Sequence, residues 1–314
     1  MERVKFISQP LVLFGVLTFG ASGIAQQQPP PLPGVPVQMV VTVEARHGNE
    51  LPVINREDVM VHEGQDRDQV TNWVPLKESS AGIELFVLID DAANSTQLGS
   101  QLDDLRKFIS AQPASTAIGI GYMRNGAVAI AQNPTRDHAL ASKGLRLPLG
   151  DPGSSASPYF SLVDLVKRWP KAKAAREVLM ITDGIDRFYG SGPGDPYVDQ
   201  AISRAQEAGI IAFSIYSPGV GHSGHTFWRM NWGQNYLSQT SDETGGESFY
   251  IGFGPAVSFS PFLEDLAQHL SRQYLLTFLA KPENKAGLRQ VKLRTEVPNA
   301  ELVAADRVYV PAGK

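Results

Sequence analysis

The chain contains no cysteine among its 314 residues. That excludes disulfides, thiolate metal sites, cysteine nucleophiles and lipid anchoring through a cysteine. A chain this long buries enough apolar surface to fold without cross-links. The G-x-S-x-G elbow and the G-x-x-x-x-G-K-[ST] phosphate loop are also missing, so hydrolase-elbow and P-loop chemistry have no support. "GHSGH" at 221–225 lacks the second spacing of the elbow. The 28 basic and 32 acidic residues form no basic block, and the formal net charge is -4, so there is no nucleic-acid footprint. The six histidines are scattered. The expectation is a protein that is not an enzyme.

What is present begins with Arg3 and Lys5, the apolar run "FISQPLVLFGVLTFG", and the small residues Gly23 and Ala25. This reads as a secretory signal over residues 1–25 with cleavage ahead of Gln26, and the apolar run is short of the about 20 residues a membrane span needs. Export to the periplasm or exterior of a bacterial cell is expected. "QQQPPPLPGVP", residues 26–36, reads as an extended proline-rich linker.

Val37, Met39, Val41 and Val43 alternate as a half-buried strand does, and Gly48-Asn49 and Glu63-Gly64 mark turns, so residues 37–80 read as one part of a β module. Over residues 81–272 the rhythm changes. "GIELFVLID", "REVLMIT" and "IIAFSIYS" are near-continuous apolar strands covered on both faces. Leu98, Leu102, Leu105 and Ile109 share a helix face, "PYFSLVDLVKRWP" is a helix bounded by prolines, and "PFLEDLAQHLSRQ" stacks Phe262, Leu266 and Leu270. This alternation predicts an α/β fold with a doubly wound, mainly parallel, Rossmann-like sheet. Residues 273–311 return to β: "YLLTFLA", "LRQVKLRTEV" and "ELVAADRVYV". The two flanks are expected to join as one discontinuous β-sandwich carrying the α/β insert, since isolated hairpins are marginal in water.

Ligands of such sheets bind at the carboxyl ends of the strands. Asp90 and Asp91 end one central strand and Asp183 another. "FVLIDDAANST" followed by "VLMITDGID" and "LSQTSDETGGESFY" resembles, in order and spacing, the von Willebrand factor type A (VWFA) domain. Together with "GNELPVINREDVMVHEGQ" before it and "QYLLTFLAKP", "GLRQVKLRTEV" and "VAADRVYVPAG" after it, the chain is similar to exported bacterial VWFA-related proteins of the kind abundant in Acidobacteria. The resemblance implies a protein-binding, adhesion or scaffold role with an unidentified protein partner. It also implies a metal-ion-dependent adhesion site of the form D-x-S-x-S, completed by a loop threonine and the Thr-Asp-Gly aspartate. Asp90 in first place puts Ala92 and Asn94 at the serines, and Asp91 in first place puts Ala93 and Ser95 there. Ser154, Ser155 or Ser157 stands near the threonine position, and Asp183 matches. The implied ligand set is Asp90, Asp91, Asn94, Ser95, Ser155 and Asp183. It is a degenerate set, suited at best to weak binding of Mg²⁺ or Ca²⁺ through oxygen ligands.

Two alternatives stand beside a metal site. Asp90 or Asp91 caps the following helix and Asp183 holds a turn, leaving a structural envelope component with a dead site; or the three aspartates serve a metal-assisted hydrolase. "GVGHSGHTFWRMNWGQNY", residues 219–236, reads as a glycine-rich loop. Phe227, Trp228 and Trp232 in it are candidate partner contacts, because tryptophan and arginine dominate interface hot spots. His222 and His225 have zinc-like spacing but lack further ligands nearby.

Overall fold

The computed structural model describes residues 34–48, 50–76, 82–93, 95–150, 156–169, 174–189, 194–218, 226–254 and 256–313, without the side chains of 95–97. The expected signal segment and nearly all of the linker lie outside them.

The α/β layer starts with β4 (Ile83–Asp90), whose side chains divide between two cores. Leu85, Val87 and Ile89 pack with α1 (Ser95–Ala111) and α6 (Ser260–Ser271) on one face. Phe86 and Leu88 pack with α3 (Pro158–Arg168) and α4 (Pro196–Ala208) on the other. This double burial is why the strand reads as a continuous apolar run. With β5 (Ala117–Arg124), β6 (Ala127–Thr135), β7 (Ala175–Thr182), β8 (Ile210–Tyr216) and β9 (Ser248–Phe249), the strand order is β6-β5-β4-β7-β8-β9. All pairings are parallel except β5 with β6. The chain runs outward from β4 to β6, then returns to β7 and runs outward the other way. The strand order therefore reverses between β4 and β7, the switch point where α/β sheets open a crevice.

The helices begin and end on local chemistry. Pro158 and Pro196 occupy the first turns of α3 and α4, where a missing N–H costs nothing. Asp195 accepts from the Tyr197 N–H at 2.9 Å to cap α4, and Gly209, at φ 63°, ends it.

The flanks pair with each other. β1 (Val35–Ala45) runs antiparallel to β10 (Gln273–Ala280) from Val35↔Ala280 to Thr42↔Gln273. β2 (Met60–Glu63), β3 (Asp66–Pro75), β12 (Lys292–Arg294) and β13 (Ala300–Val303) complete a sheet ordered β12-β2-β3-β10-β1-β13. β11 (Gly287–Gln290) and β14 (Arg307–Val310) form a separate ribbon. Val37, Met39, Val41, Leu276, Phe278, Val308 and Val310 share one core, whereas Val40 and Leu275 point the other way, against the α/β core. Two expectations are corrected here. The strand begins at Val35, inside the expected linker, because Val35 and Pro36 already pair with β10. "LRQVKLRTEV" is two strands in different sheets, split at buried Val291, whose N–H donates to Asp306 O at 3.0 Å. No helix among the described residues is long and apolar enough to cross a membrane.

Candidate functional site at the carboxyl edge

Asp90 and Asp183 meet at the switch point. Asp90 Oδ1 accepts from the Ala92 N–H at 2.9 Å and Oδ2 from the Thr182 hydroxyl at 2.9 Å. Asp183 Oδ1 accepts from the Ile185 N–H at 3.0 Å, and Oδ2 pairs with Arg187 at 3.1 Å. Burial, then the neighbouring Asp183 charge, raise the Asp90 pKa, while the hydrogen bonds and Arg187 oppose the rise. The turn itself is built for close approach. Gly184 sits at φ 69°, and a Cβ there would run into the Gly233 carbonyl and come within 2.7 Å of the Leu237 side chain.

Asp91 is not part of this pair. Its buried carboxylate makes a two-pronged ion pair with Arg146, at 2.6 and 3.1 Å, and accepts from the Leu149 N–H at 3.0 Å. The Arg146 guanidinium lies 3.7 Å over the Tyr122 ring. Asp91 thus anchors the 146–149 segment. Ser157 caps α3, accepting from the Phe160 N–H at 3.2 Å and donating to Asp186 at 2.6 Å. Asn94 and Ser155 lie outside the described residues, as does the Ser95 side chain.

Among the described residues, the implied metal ligands do not all converge. Of the six, Asp90 and Asp183 come together and Asp91 is taken by Arg146. Ala92 offers no side-chain oxygen, and the aspartates that meet already hold Thr182 and Arg187. Among the described residues no group of three or more His, Asp or Glu side chains is placed to hold an ion. The recess lined by Asp90, Ser157 and Arg187 is about 10 Å³, room for about one water. Mg²⁺ demands near-ideal octahedral geometry with several waters, which the described residues alone do not supply. Asp91, expected as a ligand, is engaged by Arg146 instead. Sequence reasoning missed Arg146, Arg187 and Asp186. Arg187 had a local signal, standing four residues after Asp183.

The aromatic residues belong to a helix, not a loop. α5 (Phe227–Thr244) is capped by Thr226, whose hydroxyl accepts from the Arg229 N–H at 3.3 Å. Its first turn stands at the carboxyl edge, since the helix connects parallel strands β8 and β9. Phe227 is 56% and Trp228 65% exposed, and Trp232 is half-buried with its ring 6.5 Å from that of Trp228. Phe253, after β9, lies 5.2 Å from Phe227 in an edge-to-face contact. Tyr250, Ile251 and Val257 of the same segment are exposed too. Gln234 donates to Gly252 O at 2.6 Å and fastens this segment to α5. Gly233 packs on the Asp183–Gly184 turn, so the aromatic group and the aspartate pair share one edge. His222 and His225 lie outside the described residues.

No family model matches the sequence, and the comparison with curated proteins found no match. Solved structures of similar arrangement include a von Willebrand factor type A protein from Catenulispora acidiphila. It is 12% identical, with 89% of this chain and 75% of that one covered and a TM-score of 0.43. The ArnB paralog VWA2 from Sulfolobus acidocaldarius is 9% identical over 88% of this chain and 76% of its own, with a TM-score of 0.37. The PilB minor pilin from Streptococcus sanguinis is 14% identical over 62% of each chain, with a TM-score of 0.40. At these values the likeness is one of arrangement alone. The α/β layer is a doubly wound, mainly parallel sheet covered by helices on both faces. Within it, the Thr182–Asp183–Gly184 turn and the Asp90 strand end occupy the crevice that the strand order creates.

Proposed function

We propose that this chain is an exported, non-enzymatic protein-binding module in which the VWFA-like layer docks a partner protein through its carboxyl edge, independently of a bound cation. The six-stranded sheet and its β11–β14 ribbon are taken as a small β-sandwich that carries this layer. The observation that carries the reading is the exposed aromatic surface of Phe227 and Trp228, backed by half-buried Phe253 and fixed against the aspartate pair by Gly233 and Gln234. Large rigid side chains exposed together at a crevice are the usual anchors of protein recognition. Arg187 and Arg146 already supply the positive charge that a cation would bring to the aspartates. A hydrolase reading would need carboxylates free to move protons or hold an ion, and Asp91 and Asp183 are both engaged.

The test is capture with a photo-cross-linker placed at Trp228 in the exporting cell, followed by affinity measurement on the purified partner. Capture of one partner, unaffected by chelator and lost on Phe227→Ala with Trp228→Ala, is expected. Turnover of esters or phosphoesters that disappears in Asp183→Asn would overturn the non-enzymatic reading.

A further inference from the structure

At the opposite edge of the same sheet, a cleft of about 580 Å³ opens where the amino ends of β7 and β8 face β1, β10 and β14. This is within the size range of small-molecule sites, which favour junctions between structural units. Val40, Ile210 and Leu275 give it apolar walls.

Two polar groups in the cleft lack the partners their chemistry demands. Arg176 is 7% exposed, and its guanidinium donates to the Ala208 carbonyl at the end of α4 and stands 6.0 Å from the Trp169 ring. No carboxylate among the described residues lies within ion-pair distance of it, and burial lowers its pKa against the opposing pull of Glu84. A buried cation whose neighbouring carboxylate, Glu84, stands beyond ion-pair distance is costly, and a guanidinium already fixed by one carbonyl presents its remaining N–H groups as a ready fork for a carboxylate. Gln206 is buried beside it in the lining. Its Nε2 donates to Glu243 O at 2.6 Å, and its Oε1 receives no hydrogen bond from any described residue. A buried amide oxygen in that state calls for a donor. Arg307 stands at the rim, paired with Glu243 at 3.3 Å.

We infer that this cleft binds a small carboxylic acid with an apolar body and an adjacent N–H, the chemistry of an N-acylated amino acid. The carboxylate is held by Arg176, the N–H by Gln206 Oε1, and the apolar side chain by Val40, Ile210 and Leu275. Such a group is found on a free acyl amino acid and at the C-terminus of a polypeptide.

Titration calorimetry of the full chain with N-acetyl-leucine tests this. Saturable binding is expected, about tenfold or more weaker for N-acetyl-leucinamide and for the Arg176→Gln protein, since both remove a charge-assisted pair. 4-Methylpentanoate, which lacks the N–H, should bind more weakly than N-acetyl-leucine to the native chain and equally well to Gln206→Leu. Val40→Trp, which fills the cleft and leaves both polar groups in place, should abolish binding if Arg176→Gln does not fold. A leucine-terminated hexapeptide that binds better than N-acetyl-leucine would assign the carboxylate to a chain end, and equal or weaker binding would assign it to the free acid. The inference is overturned if N-acetyl-leucine shows no saturable binding. It is also overturned if the amide binds equally, or if a folded Val40→Trp protein binds as the native chain does.

Discussion

The two edges of one sheet treat polar groups in opposite ways. At the carboxyl edge every described aspartate has partners: Asp91 holds Arg146, Asp183 holds Arg187, and Asp90 and Asp186 accept from neighbouring hydroxyl and backbone groups. What is most exposed there is apolar, in Phe227, Trp228 and Ile251, although Tyr216 Oη and Asp195 Oδ2 are buried there without a hydrogen bond from any described residue. At the amino edge the apolar surface is covered by β1 and β10, and polar groups are buried there: Gln206 Oε1 without a hydrogen bond from any described residue, and Glu177 and Gln273 against each other. An edge with its charges neutralised and its aromatics exposed suits a macromolecular partner. An enclosed edge with orphaned polar atoms suits a small ligand or a titrating switch.

The contrast can be broken most severely at the aspartate turn. Gly184→Val adds a Cβ where φ is 69° and where the Gly233 carbonyl stands, and is expected to cost about 4 kcal/mol in urea denaturation. Arg146→Met strands the buried Asp91 carboxylate, for a loss of about 3 kcal/mol, and adding Asp91→Asn to the same chain should recover part of it.

The amino edge should respond with the opposite sign. Glu177 is fully buried, and burial pushes its pKa up to about 8, with the Gln273 side chain and His269 opposing the rise. A raised carboxyl pKa means that stability is complete below the unfolded value of about 4.5 and falls as pH rises toward 8. Glu177→Gln should therefore stabilise the protein by about 2 kcal/mol at pH 8 and hardly at all at pH 4.

Next to it, His269 on α6 lies between Glu44 of β1, at 3.0 Å, and Glu247. Burial opposes its charge, but the two carboxylates outweigh this and raise its pKa to about 9. Their stabilisation is complete below the unfolded histidine value of about 6.5 and is lost as pH rises through 9. Because Glu247 is half exposed, the loss between pH 7 and 10 should be about 1 kcal/mol, and His269→Gln should remove that part of the pH dependence. The smallest effect on stability belongs to Phe227→Ala with Trp228→Ala, within about 0.5 kcal/mol, because these rings are already in water.

How much of this was legible in the sequence follows the range of the interactions. α1, α3, α4 and α6 announce themselves through apolar spacing, prolines and caps, all within a few residues. The strand-end aspartates are equally local. The first half of α5 was hidden because Phe227–Tyr236 mixes aromatic, amide and glycine positions without a 3–4 spacing, so its helical state depends on packing Gly233 against the Asp183 turn. The break at Val291 depends on which strands wait on either side, which an uninterrupted β-prone run does not show. Arg146 lies 55 residues from Asp91, and nothing in either segment marks the pairing. The cleft needs residues from β1, β7, α4, β10 and β14 at once, and the orphaned atoms that define it are a property of the packed fold alone.

The central claim is that the carboxyl edge binds a protein without a cation, through Phe227 and Trp228. The most direct measurement is the affinity of the captured partner for the native chain in chelator and in Mg²⁺, set beside the affinity of the Phe227→Ala, Trp228→Ala chain. Equal affinities in the two buffers, with a loss of about 2 kcal/mol or more in the double variant, are expected. Binding that collapses in chelator, or that survives the loss of both rings unchanged, would contradict the account.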